Sequence, residues 1–308
     1  MRTAIVWCVA SVIGVLSMGS VSTGCATEGH PPDARPVGGR DDSAAEALGF
    51  KLGTQAWTWR DRTAYEAVEM AGTLGLHYIE FYPGQALKPE HKDVKVGPDM
   101  TADQRKALRA FCEEHHVKPT SFGVWGFKTD EKDARRAFDF ARDMGIGTIT
   151  CEPEDAGWDM VEKLANEYGI AAACHNHPNP SHYWNPDIVL GAIKSRGPRT
   201  GACADTGHWV RSGLVPVDCL KKYEGRIIEL HFKDIKDGVD QPWGTGNGDV
   251  RGMLAELRRQ KFTGLVALEY EDGSGAVLEG NAKKCVDFFD TVCREMVAAE
   301  KTGKTVGR

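Results

Sequence analysis

The sequence predicts a single-domain α/β fold, a (β/α)8 barrel, on three observations. From Lys51 onward, strand-like and helix-like segments alternate through eight repeats, the pattern of a parallel α/β protein. The stretch 48–300 has the length of one such barrel and is ample for a sizeable core. Four of the strand-like segments end in a side chain able to bind metal. An open doubly wound sheet would call for a glycine-rich phosphate turn after the first strand, and Trp57-Thr58-Trp59-Arg60-Asp61 is not one.

In chain order, residues 1–25 form a secretory signal. Arg2 is the positive start, Ile5 to Met18 the apolar run, and Ser20 to Ala26 the small-residue region. Val21-Ser22-Thr23-Gly24-Cys25 resembles a lipobox with Cys25 as the lipid site, and cleavage after Ala26 is the competitor. Residues 26–47, rich in Pro, Gly, Asp and Ala, read as a disordered tether because they carry too little apolar surface to offset the entropy of ordering. The barrel then spans 48–300, and 301–308 is a flexible tail.

Its strands are expected at Leu52–Trp59, His77–Tyr82, Pro119–Val124, Thr148–Glu152, Ile170–Asn176, Gly201–Asp205, Ile227–Lys233 and Leu265–Tyr270. Helices are expected at Ala64–Leu74, Ala102–His115, Lys132–Met144, Trp158–Tyr168, Pro186–Ser195, Val217–Tyr223, Val250–Gln260 and Val277–Glu300. Thr101 with Gln104 has capping-box spacing, and Asn185-Pro186 is an N-cap followed by proline in the first turn. The long connections 83–99 and 234–248 fall on the mouth side, where loops shape access.

Glu152, Asp205, His231 and Glu269 are the four metal-capable side chains at strand ends, and a barrel gathers such ends into one mouth. Any one of them could be a helix cap or salt-bridge partner; four together point to one divalent ion. Three carboxylates and one imidazole suit Mn²⁺, Mg²⁺ or Co²⁺, and Zn²⁺ is also compatible. His175, His177, His208 and Lys233 lie on the same faces and are candidate substrate contacts, with Glu80 and Tyr82 weaker ones. Trp57, Trp59, Trp125 and Trp243 could stack on a sugar ring or pack in the core. Of nine cysteines, setting aside Cys8 and Cys25 leaves seven, an odd number without a CxxC pair. Cys151, Cys174 and Cys203, inside strands, read as small buried hydrophobes.

Glu152-Pro153, His175-Asn176-His177-Pro178, Asp205-Thr206-Gly207-His208-Trp209, His231-Phe232-Lys233-Asp234 and Glu269-Tyr270-Glu271 together resemble the sugar isomerase/epimerase superfamily with the xylose-isomerase-like barrel. That group includes ketose 3-epimerases, inosose dehydratase and endonuclease IV. The resemblance implies that Glu152, Asp205, His231 and Glu269 carry the metal and that His208 holds substrate hydroxyls. It also implies that Glu152 and Glu269 are the catalytic acid–base pair on opposite faces of the sugar. Many epimerases have Glu where this chain has His175 and Arg where it has Lys233.

The expected function is an exported, divalent-metal-dependent isomerase or epimerase of a free sugar or keto-sugar, acting through an enediolate. Its two carboxylates would need pKa values pushed apart to serve as acid and base. One alternative is a lyase or hydratase on an oxidised (3-keto) glycoside; another is a non-catalytic sugar-binding barrel. Export argues against phosphorylated substrates. A net charge of −6 argues against a nucleic-acid partner. The membrane is reached only through the lipid anchor, and a homo-oligomer is compatible with the sequence. Cys25→Ser is expected to release the protein from the periplasmic membrane fraction into the soluble one. Full-length cytosolic protein beginning at Met1 would defeat the export expectation.

Overall fold

The computed structural model describes residues 39–303. The signal and lipid site expected over 1–25, most of the tether and the last five residues lie outside them. The described residues form the expected barrel. Its strands are β1 (Phe50–Gln55), β2 (Tyr78–Phe81), β3 (Lys118–Trp125), β4 (Thr148–Cys151), β5 (Ala171–His175), β6 (Thr200–Asp205), β7 (Ile227–Phe232) and β8 (Gly264–Leu268). Each pairs in parallel with the next, and β8 closes on β1 with Phe50 opposite Gly264. The helices α1 (Ala64–Thr73), α2 (Ala102–Glu114), α3 (Glu131–Met144), α4 (Trp158–Tyr168), α5 (Pro186–Ile193), α6 (Pro216–Lys222), α7 (Val250–Arg259) and α8 (Gly275–Thr302) follow the strands in order.

Local chemistry explains the boundaries. The first strand ends at Gln55 rather than at the expected Trp59 because the Gln55 side chain accepts from Trp57 N and winds Ala56–Trp59 into a 3₁₀ turn. Thr58 Oγ1 then donates to Leu268 O, locking that turn across the closure of the barrel. Thr101 and Gln104 form the expected capping box, and Asn185 caps α5 through Asp187 N. Strand β6 is buried at every position, as a parallel strand covered on both faces should be. All seven cysteines among the described residues are free and buried.

The folded unit starts earlier than Leu48. Ser43–Leu48, at the end of the expected tether, is a helix with Ala45 and Leu48 buried. Two apolar residues suffice because charges complete the docking: Arg40 Nη2 lies 2.6 Å from Asp290 Oδ1 on α8, and Asp42 Oδ2 lies 3.0 Å from His77 Nε2. The hydrogen bond to Asp42 outweighs burial and the nearby Arg40 charge and raises the His77 pKa above its ordinary 6.5. A raised histidine pKa contributes stability that is complete below the unfolded value and is lost as pH rises through the folded one. The difference in Tm between wild type and His77→Gln is therefore expected to be larger at pH 6 than at pH 9; an equal gap at both would exclude the charged pair.

Candidate active site

Strand alternation and barrel closure bring the expected residues to one end. Asp205 at the end of β6 sits directly opposite His231 on β7, and His231 opposite Ala267 on β8, one residue pair below Glu269. Glu152 follows β4 and Glu269 follows β8, half a turn of the barrel apart. His175 closes β5.

Between these groups runs a chain of contacts. His175 Nδ1 lies 3.1 Å from Glu152 Oε1, and its Nε2 lies 3.5 Å from Asp205 Oδ2. His177 Nδ1 contacts the same Glu152 oxygen. His208 Nε2 is 3.4 Å from Asp205 Oδ2, while Asp205 Oδ1 accepts from the His208 backbone N–H at 2.8 Å. Lys233 Nζ lies 2.5 Å from both Asp205 Oδ2 and Glu269 Oε2. His231 Nε2 is 2.6 Å from Glu80 Oε2, and its Nδ1 faces Glu269 Oε2 at 3.1 Å.

The four expected ligands thus line one mouth, with His175 and Lys233 inserted between the carboxylates. Donor atoms of His175, Asp205 and His231 all lie within 4.8 Å of one another, as do those of Glu152, His175 and His177. Either trio can hold a divalent ion, and of the four expected ligands only Asp205 and His231 share one, with His175 as the third donor. The decisive atom is His231 Nδ1, which is buried and makes no well-aligned hydrogen bond among the described residues, its near neighbour being Glu269 Oε2 at 3.1 Å, while Nε2 is held by Glu80. A carboxylate on one imidazole nitrogen leaving the other free is the usual arrangement of a ligating histidine.

Of the expected substrate contacts, His177 is the open one, its side chain 45% exposed and its ring stacked on His208 with centroids 5.3 Å apart. His175 and His208 are buried. Lys233, expected to meet substrate, is fully buried with its ammonium committed to two carboxylates. Trp59 and Trp243 are core residues, whereas Trp57 is exposed at the mouth, edge-on to Tyr82 at 5.0 Å.

Electrostatics follow from burial and pairing. Burial opposes ionisation of Glu152, but hydrogen bonds with His175 and His177 hold its carboxyl down at about 2. Glu269 is likewise buried and is kept low by Lys233 and His231. The two carboxyls are therefore both low in this arrangement, not separated as expected. Burial drives His208 down to about 2 despite Asp205.

Sequence reasoning marked Glu80 only as a weaker substrate contact and passed over Glu229, with which it forms a second polar layer beneath the mouth. Glu80 Oε1 accepts from Thr150 Oγ1, and Glu229 Oε2 accepts from Ser121 Oγ at 2.6 Å. Burial and the Glu80 charge push Glu229 up to about 8. The signal was its position two residues before His231, on the same face of β7. Also unmarked was Arg211, whose guanidinium ties the hairpin Ile235–Lys236/Val239–Asp240 to the end of β8 through Asp240 and Glu271, each at 2.6 Å.

A parallel barrel whose C-terminal mouth carries acids and imidazoles defines a class of enzyme folds that handle small polar molecules. Residues 68–292 match the xylose isomerase-like TIM barrel family, and the chain belongs to it. An uncharacterised protein of Parabacteroides distasonis ATCC 8503 is similar at 34% identity and a TM-score of 0.65, covering 79% of this chain and 99% of its own. Inosose dehydratase of Lacticaseibacillus casei is 24% identical over 206 residues, 56% of this chain and 68% of that protein. Its counterpart in Salmonella typhimurium is 27% identical over 143 residues, spanning 40% of this chain and 46% of that one. An L-ribulose 3-epimerase structure shares the fold at 12% identity and a TM-score of 0.65, covering 84% of this chain and 99% of its own. The named relatives are enzymes.

The loop after β7, expected as a lid, is pinned by Asp234. Its Oδ2 accepts from Gly244 N at 2.9 Å and Gly246 N at 2.8 Å, and its Oδ1 from Gly248 N at 2.9 Å. A Cβ on Gly246 would come 2.3 Å from that carboxylate, so the glycine permits the close approach. Asp234→Ala is expected to cost about 3 kcal/mol or more, since it removes three charge-assisted hydrogen bonds, one to a buried N–H. Urea unfolding checks this; a change below about 1 kcal/mol would mean the loop holds itself.

Proposed function

We propose that this chain is a lyase of a polyhydroxylated keto substrate, a keto-sugar, a keto-cyclitol or a 3-keto glycoside. It would remove a proton beside the carbonyl and expel an oxygen leaving group from the next carbon. The observation that carries this reading is His177, half-exposed at the mouth, held by Glu152 and stacked on His208. Reprotonating a carbon in place needs only two carboxyl groups, whereas expelling an oxygen needs a proton donor at the leaving atom. The sequence relatives named as inosose dehydratases support the same choice.

Glu152, Asp205, His231 and Glu269 would hold a divalent ion, which when bound supplies polarisation of the substrate carbonyl and its neighbouring hydroxyl. Glu269 takes the proton, breaking the C–H bond beside the carbonyl. Those electrons form a carbon–carbon double bond as the C–O bond at the adjacent carbon breaks, and the departing oxygen takes its proton from His177. Glu152 orients that imidazole, His175 ties Glu152 to Asp205, and His208 offers its stacked face. The products are an enone-type sugar and water or an aglycone.

Epimerisation is the second reading, favoured by the placement of Glu152 and Glu269 at opposite sides of the barrel. Incubating the Mn²⁺-supplemented protein in D₂O with a p-nitrophenyl 3-keto glucoside separates the two. Release of p-nitrophenol is expected, with Glu269→Gln slowing both release and deuterium exchange by roughly 10²–10⁴-fold. His177→Phe is expected to slow release by a similar factor while leaving exchange intact. An inverted centre with the aglycone retained would replace the lyase by an epimerase.

A further inference from the structure

We propose that Lys233 is the resident cation of the mouth, its ammonium bridging Asp205 and Glu269 and giving up those oxygens when a divalent ion binds. Lys233 would then set how tightly the site takes metal. The inference rests on the reading of these carboxylates as metal ligands.

The geometry is specific. Lys233 Nζ lies 2.5 Å from Asp205 Oδ2 and from Glu269 Oε2, and 3.8 Å from Glu271 Oε1, with the side chain wholly shielded from solvent. Glu269 Oε2 is also the atom facing the unpartnered His231 Nδ1 at 3.1 Å. Ammonium and metal thus address the same oxygens. A divalent ion takes carboxylate oxygens at about 2.0–2.6 Å and cannot share them fully with a cation already in contact.

The chain is built to keep the lysine there. Its backbone is clamped to the start of the short helix Thr206–Arg211 that directly follows β6: Lys233 N donates to Thr206 Oγ1, and Thr206 Oγ1 donates to Lys233 O, both at 2.9 Å. The next residue, Gly207, leaves room for the lysine stem, since a Cβ there would lie 2.7 Å from both Lys233 Cβ and Cδ. Charge gives the arrangement a purpose. Glu152, Asp205 and Glu269 sum to three negative charges; one ammonium covers part of that without metal, and a divalent ion covers the rest. Removing the ammonium removes the incumbent from the oxygens and the repulsion between like charges.

Metal affinity of the full folded protein tests this by Mn²⁺ competition against a chelator at fixed pH. Lys233→Met is expected to bind Mn²⁺ at least tenfold more tightly than wild type. Its metal-free Tm should be lower, and its Mn²⁺-induced rise in Tm larger. Equal or weaker Mn²⁺ binding by Lys233→Met, with wild type binding normally, overturns the proposal and leaves the metal reading standing. Mn²⁺ bound by neither protein removes the metal reading and this inference with it. Should the variant not fold, a Mn²⁺-loaded wild-type structure decides: Nζ beyond hydrogen-bond distance of Asp205 Oδ2 and Glu269 Oε2 is expected, and retention of both contacts refutes displacement.

Discussion

Compensation of buried negative charge is the constraint around which this barrel is organised. Glu80, Asp205, Glu229 and Glu269 are all buried inside one ring of strands, where each ionised carboxylate costs several kcal/mol unless paired. The partners come from the same strands: His231 stands between Glu80 and Glu269, and Lys233 between Asp205 and Glu269. His175 spans Glu152 and Asp205. Glu229 is the exception, with a hydroxyl from Ser121 as its hydrogen bond and a pKa pushed up to about 8. In a site assembled this way, moving one member leaves another without its partner.

Much of this was legible in the sequence. Strand–helix alternation gave all eight repeats because parallel strands buried on both faces read as apolar runs and their helices keep a clear amphipathic period. The residues at the mouth were legible too, since period-two alternation fixes which side chains share a face. What could not be read was which of those residues would satisfy one another. Lys233 looked like a substrate contact because a cation at a barrel mouth invites that reading, yet barrel closure brings two carboxylates to 2.5 Å from it. The helix Ser43–Leu48 was hidden because Leu48 is its only large apolar residue, and Arg40 and Asp42 dock it with charges whose partners, Asp290 and His77, are distant in sequence.

The same division explains the two polar layers. The upper one, with Glu152, His175, Asp205 and Glu269, ends strands and announces itself through the loss of apolar pattern. The lower one is embedded within strands that remain otherwise apolar, and Glu80 and Glu229 there resemble isolated exceptions. Their role emerges from cross-barrel contacts, Glu80 to His231 and Thr150, and Glu229 to Ser121.

Four consecutive residues at the exit of β7 serve three compartments. His231 and Lys233 face the mouth, Phe232 packs edge-on to Trp243 at 5.0 Å, and Asp234 gathers the glycine loop. Trp243 reaches on to Phe289 of α8, with centroids 6.2 Å apart. Chemistry, core and loop are therefore read off a single strand in strict alternation. Inserting or deleting one residue between 230 and 235 would exchange all of these assignments at once, sending an aromatic ring into the charged mouth and a carboxylate out of its loop. Substitution here disturbs one compartment, whereas a change of length disturbs all of them, which makes this tetrapeptide a fixed ruler from which the mouth is measured.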